Sequence, residues 1–412
     1  MIVTYMFLIV LIFIPFFAPN IIALFFGQMF NGMGWGIFIT LTTTYASEVC
    51  PIVLRYYLAS WVNLCWVYGD LLSAGVLRAL LGVTNQWSYK IPFALEWIFP
   101  VPFMLLVYLA PESPWWLVRK SKIEQAVKSV KRLTTKGVDE NFDAENTVAN
   151  MAHTVALERR IVATSKYADC FRGTDLRRTE IACCTWMIQA LCGSSVLGYA
   201  TYFFESAGLS TTYSFDMGMV KQALGIVGTL ISWVAAGYFG RRTLFFSGLI
   251  CMTITMFVMG FVSLCPPTNT AANWAIGALL LCCQLIYEVT IAAPTYVIVP
   301  EISSSKLRPK TLVLARNAYN ICVICQNVLI AYMLNPKDWN WGGKTGFLYG
   351  GINFICLLYV FFRLPETKGR SYGELEILFD RKTPARKFKS TEVDVFEVSV
   401  AEEEVVTMEP KV

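Results

Sequence analysis

The stretch YASEVCPIVLR at residues 45–55 follows a long apolar run, and IVPEISSSKLRPKT at residues 298–311 follows another. In both stretches a glutamate precedes an arginine by seven positions, and the two glutamates lie 253 residues apart. A second pair has almost the same spacing, because PESP at residues 111–114 matches PETKGR at residues 365–370. Repeated loop motifs between apolar segments are typical of membrane proteins built from internal repeats. The sequence therefore predicts a six-helix unit that is used twice.

The second copy of the repeat carries a further motif, GRR at residues 240–242, between its second and third apolar segments. At the spacing of the other motifs, its counterpart in the first copy would fall about 13 residues before Met1. We therefore expect four helices of the first copy in this chain, with two helices and their connecting loop absent.

Apolar segments long enough to cross a bilayer dominate the composition. Hydrophobic residues make up 56% of the 412 residues, charged residues make up 15%, and the mean hydropathy is +0.52. A soluble domain contains roughly 25% charged residues, so this composition excludes a soluble globular protein. Ten segments of roughly 17–25 residues have the length that a hydrocarbon core requires. They are approximately 2–18, 20–44, 56–80, 91–110, 181–204, 217–238, 243–265, 273–299, 311–334 and 345–364.

Basic residues concentrate in the segment 112–180, which contains thirteen Lys and Arg against ten Asp and Glu. Positively charged loops remain on the cytoplasmic side of membranes, so this segment is predicted to be cytoplasmic. An even number of helices separates it from each terminus, and both termini are then cytoplasmic as well. The predicted organisation is a truncated N-terminal bundle of four helices at 1–110, a cytoplasmic loop at 111–180, a C-terminal six-helix bundle at 181–365 and a largely disordered cytoplasmic tail at 366–412.

Catalysis and metal binding have little support in the sequence. The chain contains one histidine, His153, which leaves no histidine for a metal site or a Ser/His/Asp triad within the hydrophobic segments. The glycines of GMGWG at residues 32–36 lack the preceding strand of a nucleotide-binding motif, and they indicate close helix packing. We therefore predict a protein that is not an enzyme and that has no cofactor, no metal and no nucleic-acid partner.

A family resemblance follows from motifs that occur in order along nearly the whole chain. They are YASEVCPIVLR, PESPWWL, QALCG, the GRR loop and PETKGR, and together they resemble the sugar-porter branch of the major facilitator superfamily. Longer phrases are similar to the fungal maltose permeases, which are α-glucoside:proton symporters. Among them are APESPWWLVRK, DCFRGTDLRRTEI and YMLNPKDWNWGGKTGF.

The resemblance implies an all-α membrane protein with the major facilitator superfamily fold, which has twelve helices, of which about ten are expected here. It also implies transport of α-glucosides such as maltose, coupled to protons, by alternating access. The implied protein is a multi-pass monomer of the plasma membrane whose partners are the sugar, protons and the lipid bilayer. Because two helices are expected to be absent, we predict a truncated form with impaired or no transport, which is retained internally if the truncation impairs folding. The alternatives are a non-transporting sugar sensor and a non-functional remnant.

In the implied fold, charged residues at the cytoplasmic ends of the helices hold the protein closed on that side. The resemblance assigns this cytoplasmic gate to residues from both copies of the repeat. They are Glu48, Arg55, Glu112, Arg241, Arg242, Glu301, Arg308 and Glu366. The chain departs from the family pattern at Tyr56, where glycine is usual, and at Gly237, where an aspartate commonly precedes the GRR motif.

Polar side chains within membrane spans are costly and therefore mark candidate sites. The resemblance aligns Asn63 and Gln189 with amides that contact sugar hydroxyls, and an amide both donates and accepts hydrogen bonds. Tyr296 occupies a position where many relatives carry a tryptophan that stacks on the sugar. Asn317 and Asn320 are further candidates for sugar binding. The alternative for these residues is hydrogen bonding between helices.

Three ionisable residues within the predicted spans, Asp70, Glu288 and Arg316, are candidates for proton coupling or for buried charge. Arg316 follows Arg308 by eight positions, which places it roughly 12 Å deeper along a helix. A guanidinium at that depth requires a carboxylate or carbonyl partner, and both Asp70 and Glu288 are open choices.

Overall fold

The computed structural model of the chain describes residues 1–49, 55–134, 143–163, 166–206, 208–266, 269–304, 306–370 and 372–391. These residues form helices joined by turns, and no strand occurs among them. The helices are α1 (Ile2–Leu11), α2 (Phe13–Phe16), α3 (Ile21–Val49), α4 (Arg55–Ala79), α5 (Trp87–Leu95), α6 (Pro100–Leu109), α7 (Pro114–Arg119), α8 (Ile123–Leu133), α9 (Ala144–Ala163), α10 (Gly173–Leu191), α11 (Ser194–Gly198), α12 (Ala200–Ser206), α13 (Thr211–Tyr238), α14 (Arg241–Val262), α15 (Thr270–Tyr287), α16 (Ala293–Ile302), α17 (Arg308–Leu334), α18 (Thr345–Arg363) and α19 (Tyr372–Asp380).

Eight helical segments within the described residues are long and apolar enough to cross a membrane, and they coincide with eight of the ten predicted spans. The predicted span 2–18 is a shorter apolar segment, Ile2–Phe16. The predicted span 56–80 is helix α4, in which Asn63, Asp70 and Arg78 lower the mean hydropathy. The all-α membrane fold is therefore confirmed, and these two segments account for the difference in span number.

The chain divides into two compact units, Met1–Thr164 and Ser165–Val412. The division lies inside the predicted cytoplasmic loop 111–180, much of which is helical. Helices α7, α8 and α9 belong to the first unit, where their apolar faces form a small core around Leu117, Val130 and Val148. Amphipathic helices bury such a face against one another, so three short helices become one packed layer.

The second unit contains the larger hydrophobic core, whose buried residues come from α10–α12 and α14–α19. Helices α14 and α18 pack especially closely because Gly346 has no side chain, and a Cβ there would overlap with the carbonyl of Met256. In the first unit, a smaller buried cluster joins Leu8, Ile12 and Phe38. Many of the remaining apolar side chains on the spans are exposed, as is expected of surfaces that face lipid.

Two spans of the second unit are interrupted at mid-length. The segment α10–α12 breaks at Gly193, whose φ of +102° favours glycine, and a Cβ there would lie 2.6 Å from Met256 Cε. Between α15 and α16, residues Glu288–Ala292 form a π-helical turn. Pro294 follows it and has no N–H for the carbonyl four residues earlier. Interrupted helices expose backbone groups inside a bundle and recur at functional sites.

Part of the tail predicted as largely disordered, 366–412, is helical, since α19 spans Tyr372–Asp380. Helix α19 and the turn after it bury Phe379 and Phe388, whose ring centroids lie 5.0 Å apart. The acidic composition that indicated disorder belongs to the end of the chain, whereas the apolar residues of α19 follow helical spacing and pack into the core. Residues 392–412 lie outside the described part of the chain.

Candidate functional site

Arg316 lies on α17 among aromatic rings of the second unit. Its Cζ atom is 5.3 Å from the ring centroid of Trp186 and 4.5 Å from that of Tyr319. The ring of Tyr296 also stands against Trp186, edge to face, with centroids 6.3 Å apart. A guanidinium over aromatic faces gains cation–π attraction, and the gain is larger where water is excluded. The partners of Arg316 in this unit are therefore aromatic, whereas the sequence predicted a carboxylate or a carbonyl.

Gln189 lies beside this group on α10 and is 3% exposed. Its Nε2 donates to the carbonyl of Ala292 at 3.4 Å, and its Oε1 has no hydrogen-bond donor among the described residues. Trp186, one turn earlier on the same helix, has a buried Nε1 that lacks an acceptor in the same part of the chain. Buried polar atoms are normally paired, so an unpaired acceptor and an unpaired donor one turn apart on α10 mark a candidate ligand site.

Among the predicted sugar-binding residues of the second unit, the structure brings Gln189 and Tyr296 together around Trp186 and Arg316. Tyr287 joins them through its hydroxyl, which donates to the carbonyl of Gln189 at 3.4 Å. Asn317 and Asn320 are exposed on α17. We refer to Trp186, Gln189, Tyr296, Arg316 and Tyr319 as the aromatic–amide cluster.

Glu288 begins the π-helical turn and is 4% exposed. Its Oε1 accepts from Gln284 Nε2 at 3.0 Å, and its Oε2 accepts from Thr229 Oγ1 at 3.4 Å. Helix α13 comes close because residue 228 is glycine, where a Cβ would lie 2.9 Å from the Glu288 Cβ. The prediction of a buried carboxylate agrees with this geometry, and the hydrogen bonds described here come from neutral groups.

The two candidates of the first unit, Asn63 and Asp70, differ in burial. Asn63 is 6% exposed on α4, within a buried stretch that includes Leu64 and Val67. Asp70 is exposed, and its carbonyl accepts from Ser73 Oγ at 3.0 Å. The structure therefore differs from the predicted burial of Asp70.

The predicted gate residues of the second unit meet at the start of α14. Glu366 is 9% exposed and accepts from the backbone N–H of Arg241 at 2.8 Å. The side chain of Arg241 pairs with Glu301, with Nη2 and Oε1 3.8 Å apart. Thr367 Oγ1 donates to the other oxygen of Glu301 at 2.6 Å. Glu366 thus occupies a helix N-terminus, where a carboxylate is favoured by the helix dipole. We call Arg241, Glu301, Glu366 and Thr367 the C-terminal latch.

Glycine 240 makes this arrangement possible. A Cβ at that position would overlap with the carboxylate of Glu366. The other two predicted gate residues of this unit lie nearby in sequence but in different roles. Arg242 donates to the carbonyl of Phe361 at 2.8 Å, and Arg308 is the first residue of α17.

In the first unit, Glu48 at the end of α3 has two partners. Its Oε1 lies 2.6 Å from Arg119 Nη1, and its Oε2 accepts a short hydrogen bond from Ser113 Oγ. Ser113 also caps α7 by accepting from the N–H of Trp116 at 3.3 Å. We call Glu48, Ser113 and Arg119 the N-terminal latch. Glu112 is exposed, and the side chain of Arg55 lies outside what the structure describes.

Sequence reasoning missed several members of these groups. Trp186 and Tyr319 each stand three positions from a predicted residue, Gln189 or Arg316, and that spacing places side chains on one helix face. Ser113 and Thr367 directly follow the glutamates of the repeated PES and PET tripeptides. Both signals were present in the sequence. Arg119 gave no such signal, because its pairing depends on how α7 folds back toward α3.

Comparisons with a family model and with known sequences agree on one family of proteins. The profile described as Sugar (and other) transporter matches residues 1–379. A general alpha-glucoside permease of Saccharomyces cerevisiae is 42% identical over 390 residues, which are 93% of this chain and 63% of the permease. A maltose permease of Saccharomyces cerevisiae is 42% identical over 410 residues, which are 98% of this chain and 66% of that protein. The chain thus spans less than two thirds of the length of these relatives.

Comparison with solved structures gives the fold. The structure of the proton:xylose symporter XylE bound to 6-bromo-6-deoxy-D-glucose matches with a TM-score of 0.72 at 21% identity, covering 92% of this chain and 83% of that chain. An inward-open structure of the xylose transporter XylE from E. coli matches with a TM-score of 0.67 at 20% identity, covering 91% and 82%. At this identity the likeness supports a common fold, which is that of the major facilitator superfamily.

Proposed function

Because the chain belongs to the sugar transporter family, whose members are multi-pass membrane transporters and not enzymes, we propose that it carries α-glucosides such as maltose across the plasma membrane. Transport is coupled to protons and proceeds by alternating access. The substrate class is taken from the names of the relatives, which are alpha-glucoside and maltose permeases.

The observation that carries the proposal is the pair of open polar atoms in the aromatic–amide cluster. Gln189 Oε1 is a buried acceptor and Trp186 Nε1 a buried donor, and neither has a partner among the described residues. A sugar hydroxyl both donates and accepts, so it satisfies both kinds of atom. The rings of Tyr296 and Tyr319 supply apolar faces of the kind that suit the C–H side of a pyranose.

For the proton, we propose Glu288. Its carboxylate is buried in a membrane span and lies on a π-helical turn, a form of backbone that is concentrated at functional sites. Gln284 and Thr229 donate to the ionised form. A protonated Glu288 donates to Thr229 Oγ1, whose own hydrogen then goes to the carbonyl of Gly225 at 3.1 Å, while Gln284 Nε2 keeps the other carboxyl oxygen as its acceptor. Protonation would then remove a buried charge without leaving an unpaired group behind.

The proposed gate of the second unit is the C-terminal latch. Its contacts are charged and hydrogen-bonded, and Glu366 accepts both from the N-terminus of α14 and from the backbone N–H of Lys368. Charged and hydrogen-bonded contacts stabilise the closed state of a gate, and they break without disturbing an apolar core. Such contacts therefore suit a gate that alternates between a closed and an open state.

Uptake of labelled maltose tests the proposal directly. The chain would be expressed in cells that lack their own α-glucoside permeases, and uptake would be measured at acidic and at neutral external pH with surface abundance recorded. We expect uptake that is saturable and stimulated by acid, at a rate below that of an α-glucoside permease expressed in the same cells, because the sequence predicts impaired transport. For Gln189→Ala we expect the apparent affinity to fall about tenfold, because the hydrogen bond to the sugar is lost. Gln222→Ala, which removes a half-buried amide on α13, is the matched control.

Two results would contradict the proposal. One is the absence of uptake at normal surface abundance, and the other is an equal loss of affinity in Gln189→Ala and Gln222→Ala.

For the proton site, Glu288→Gln should abolish acid stimulation while sugar exchange across the membrane persists. Glu205→Gln, at an exposed carboxylate that ends α12, should leave acid stimulation intact.

A further inference from the structure

A cavity of about 540 Å³ lies in the second unit where α10 begins and α18 ends. Four basic residues line it, and no acidic residue does. They are Arg177, Arg363, Lys382 and Arg386. We propose that this cavity binds a phosphate monoester, as carried by a phosphorylated lipid headgroup. This site is separate from the aromatic–amide cluster and does not depend on the proposed transport function.

The charge balance of the cavity favours an anion. Arg363 is neutralised by Glu180, which accepts from its Nε at 3.2 Å and from its Nη2, and which also accepts from Tyr359. Arg177, Lys382 and Arg386 pair with no carboxylate in the part of the chain that the structure describes. Three cations that share one cavity repel each other, and a doubly charged phosphate group relieves that repulsion with charge-assisted hydrogen bonds.

Arg177 is fixed in place and still has hydrogen-bonding capacity. Its Nη1 donates to the carbonyl of Thr383 at 2.9 Å, and its Cζ lies 5.4 Å from the ring centroid of Phe379 and 5.9 Å from that of Phe388. Its Nε is buried and has no acceptor among the described residues. A guanidinium held against two rings loses little freedom on binding, so its planar donors are prepared for a phosphate oxygen.

Arg386 and Lys382 are supplied by the ordered part of the tail. The Cζ atom of Arg386 lies 3.8 Å from the ring centroid of Phe361, which orients its guanidinium. Lys382 has a left-handed φ of +53°, which is uncommon for lysine and belongs to the tight turn that ends α19. The basic side of the cavity therefore exists because residues 372–391 fold back onto the unit.

The start of α10 adds to the positive potential. Gly173 and Thr174 line the cavity and open a helix of 19 residues, whose first N–H groups carry the positive end of the helix dipole. Helix N-termini of this length favour phosphate groups. The hydroxyl of Thr174 is held by Asp380, to which it donates at 2.9 Å. The backbone N–H groups supply the helix contribution.

The position of the cavity indicates a lipid as the source of the phosphate. Arg363 is the last residue of the candidate span Gly342–Arg363, and Gly173 is the first of the span Gly173–Ser206. The predicted span in the second of these segments begins at residue 181, so the cavity lies at, and just outside, one surface of the predicted membrane region. Phe362 lines the cavity and is 61% exposed, so it provides an apolar surface beside the basic one. Anionic headgroups of the cytoplasmic leaflet attract basic residues at this depth.

Binding of short-chain phosphatidylinositol 4-phosphate tests the proposal. The full chain would be held in nanodiscs of phosphatidylcholine, and binding would be followed with a fluorescent form of the lipid. The soluble headgroup, inositol 1,4-bisphosphate, and inorganic phosphate serve as competitors. We expect saturable binding that weakens as salt is raised, and about tenfold or greater weakening in the double variant Lys382→Gln with Arg386→Gln.

The matched control is the double variant Arg381→Gln with Lys387→Gln, which removes two exposed cations next to the cavity that do not line it. It should bind as the unchanged chain does. Competition by the soluble headgroup would assign the site to any phosphate monoester, whereas competition by lipid alone would assign it to the membrane. Lack of saturable binding, or equal weakening in both double variants, would overturn the proposal. The salt dependence needs no variant, so the test stands even if a substitution impairs folding.

Discussion

In both copies of the repeat, the first glutamate accepts a hydrogen bond from a hydroxyl group at the equivalent position. The arginine that pairs with this glutamate comes from a different position in each copy. In the C-terminal latch, Thr367 donates to Glu301. In the N-terminal latch, Ser113 donates to Glu48. Each hydroxyl belongs to the residue after the second repeated glutamate, so this contact is a property of the repeat itself.

The cation comes from unrelated places in the two latches. Glu301 pairs with Arg241 at the start of α14, whereas Glu48 pairs with Arg119 at the end of α7. The second glutamates also differ, because Glu366 is buried against the N-terminus of α14 while Glu112 is exposed. The comparison teaches that the repeat specifies the hydroxyl–carboxylate contact, and that local folding decides which arginine completes it.

Breaking the C-terminal latch at its closest approach should have the largest effect. In Gly240→Ala, the added Cβ would displace Glu366 from the N–H groups of Arg241 and Lys368. We expect the free energy of unfolding to fall by about 3 kcal/mol, from overpacking together with the loss of charged hydrogen bonds. The measurement is a denaturant titration of the purified chain. Gly237→Ala is the control, because nothing lies within 4 Å of a Cβ there. An equal loss in the control would refute the role of Glu366.

Neutralising the first glutamate of each copy should lower the unfolding free energy by different amounts in the two latches. Glu301→Gln should cost about 1.5 kcal/mol of unfolding free energy and Glu48→Gln about 0.5 kcal/mol. The Glu48 pair is shorter, 2.6 Å against 3.8 Å, but Arg119 is 43% exposed and Arg241 is 17% exposed. The effective dielectric constant falls by up to about fourfold from water to a protein surface, and this change is larger than the ratio of the two distances. The less exposed pair, Arg241 with Glu301, is therefore expected to be the stronger one. A larger loss in Glu48→Gln would reverse the argument. The same denaturant titration measures both.

The hydroxyl contact should behave alike in the two latches. Thr367→Val and Ser113→Ala each remove one donor to a carboxylate, so each should lower the unfolding free energy by about 1 kcal/mol. Ser113→Ala also removes the cap of α7. The rate of proteolysis near residue 116 measures the unfolding of that helix separately. Thr367→Ser is the conservative control and should retain the contact. Losses that still differ by more than twofold after about 1 kcal/mol for the lost cap is subtracted from Ser113→Ala would contradict equivalence of the two copies.

The smallest effect is expected for the exposed cation of the N-terminal latch. Arg119→Gln should change the unfolding free energy by less than about 0.5 kcal/mol, because solvent-exposed ion pairs contribute little. The residual effect should vanish at high salt. Arg241→Gln, measured in the same titration, should cost more and respond less to salt. A salt-insensitive loss in Arg119→Gln would mean that Arg119 also contributes packing.

Much of the fold followed from the sequence. The lengths of the apolar segments predicted eight of the spans that the structure describes, and the charge distribution separated them from the intervening helices. The interruptions were not predicted. Gly193 and the turn at Glu288 lie inside continuous apolar runs. Hydropathy depends only on residue type, so it does not reveal a break in helical hydrogen bonding. The order in residues 372–391 was also missed, because it depends on a core that the tail alone does not contain.

The candidate site was predicted in part. Gln189, Glu288 and Arg316 were selected because polar groups in spans are costly, and the structure gives each of them specific neighbours. Some of their neighbours were within reach of the sequence, because Tyr319 is three positions from Arg316 and Gln284 is four positions from Glu288. The contacts with Trp186 and Thr229 were not, since these residues lie on helices from distant parts of the chain.

The sequence by itself determined that this is an all-α membrane protein built from a repeat, because segment length, charge placement and motif spacing are linear properties of the chain. It also determined which residue types recur at the loop ends. Only the tertiary structure decided that Arg119 meets Glu48, that Trp186 and Gln189 hold open polar atoms side by side, and that the tail completes a basic cavity. Each of these depends on the angle and depth at which helices pack, and those are fixed by contacts between residues far apart in the chain.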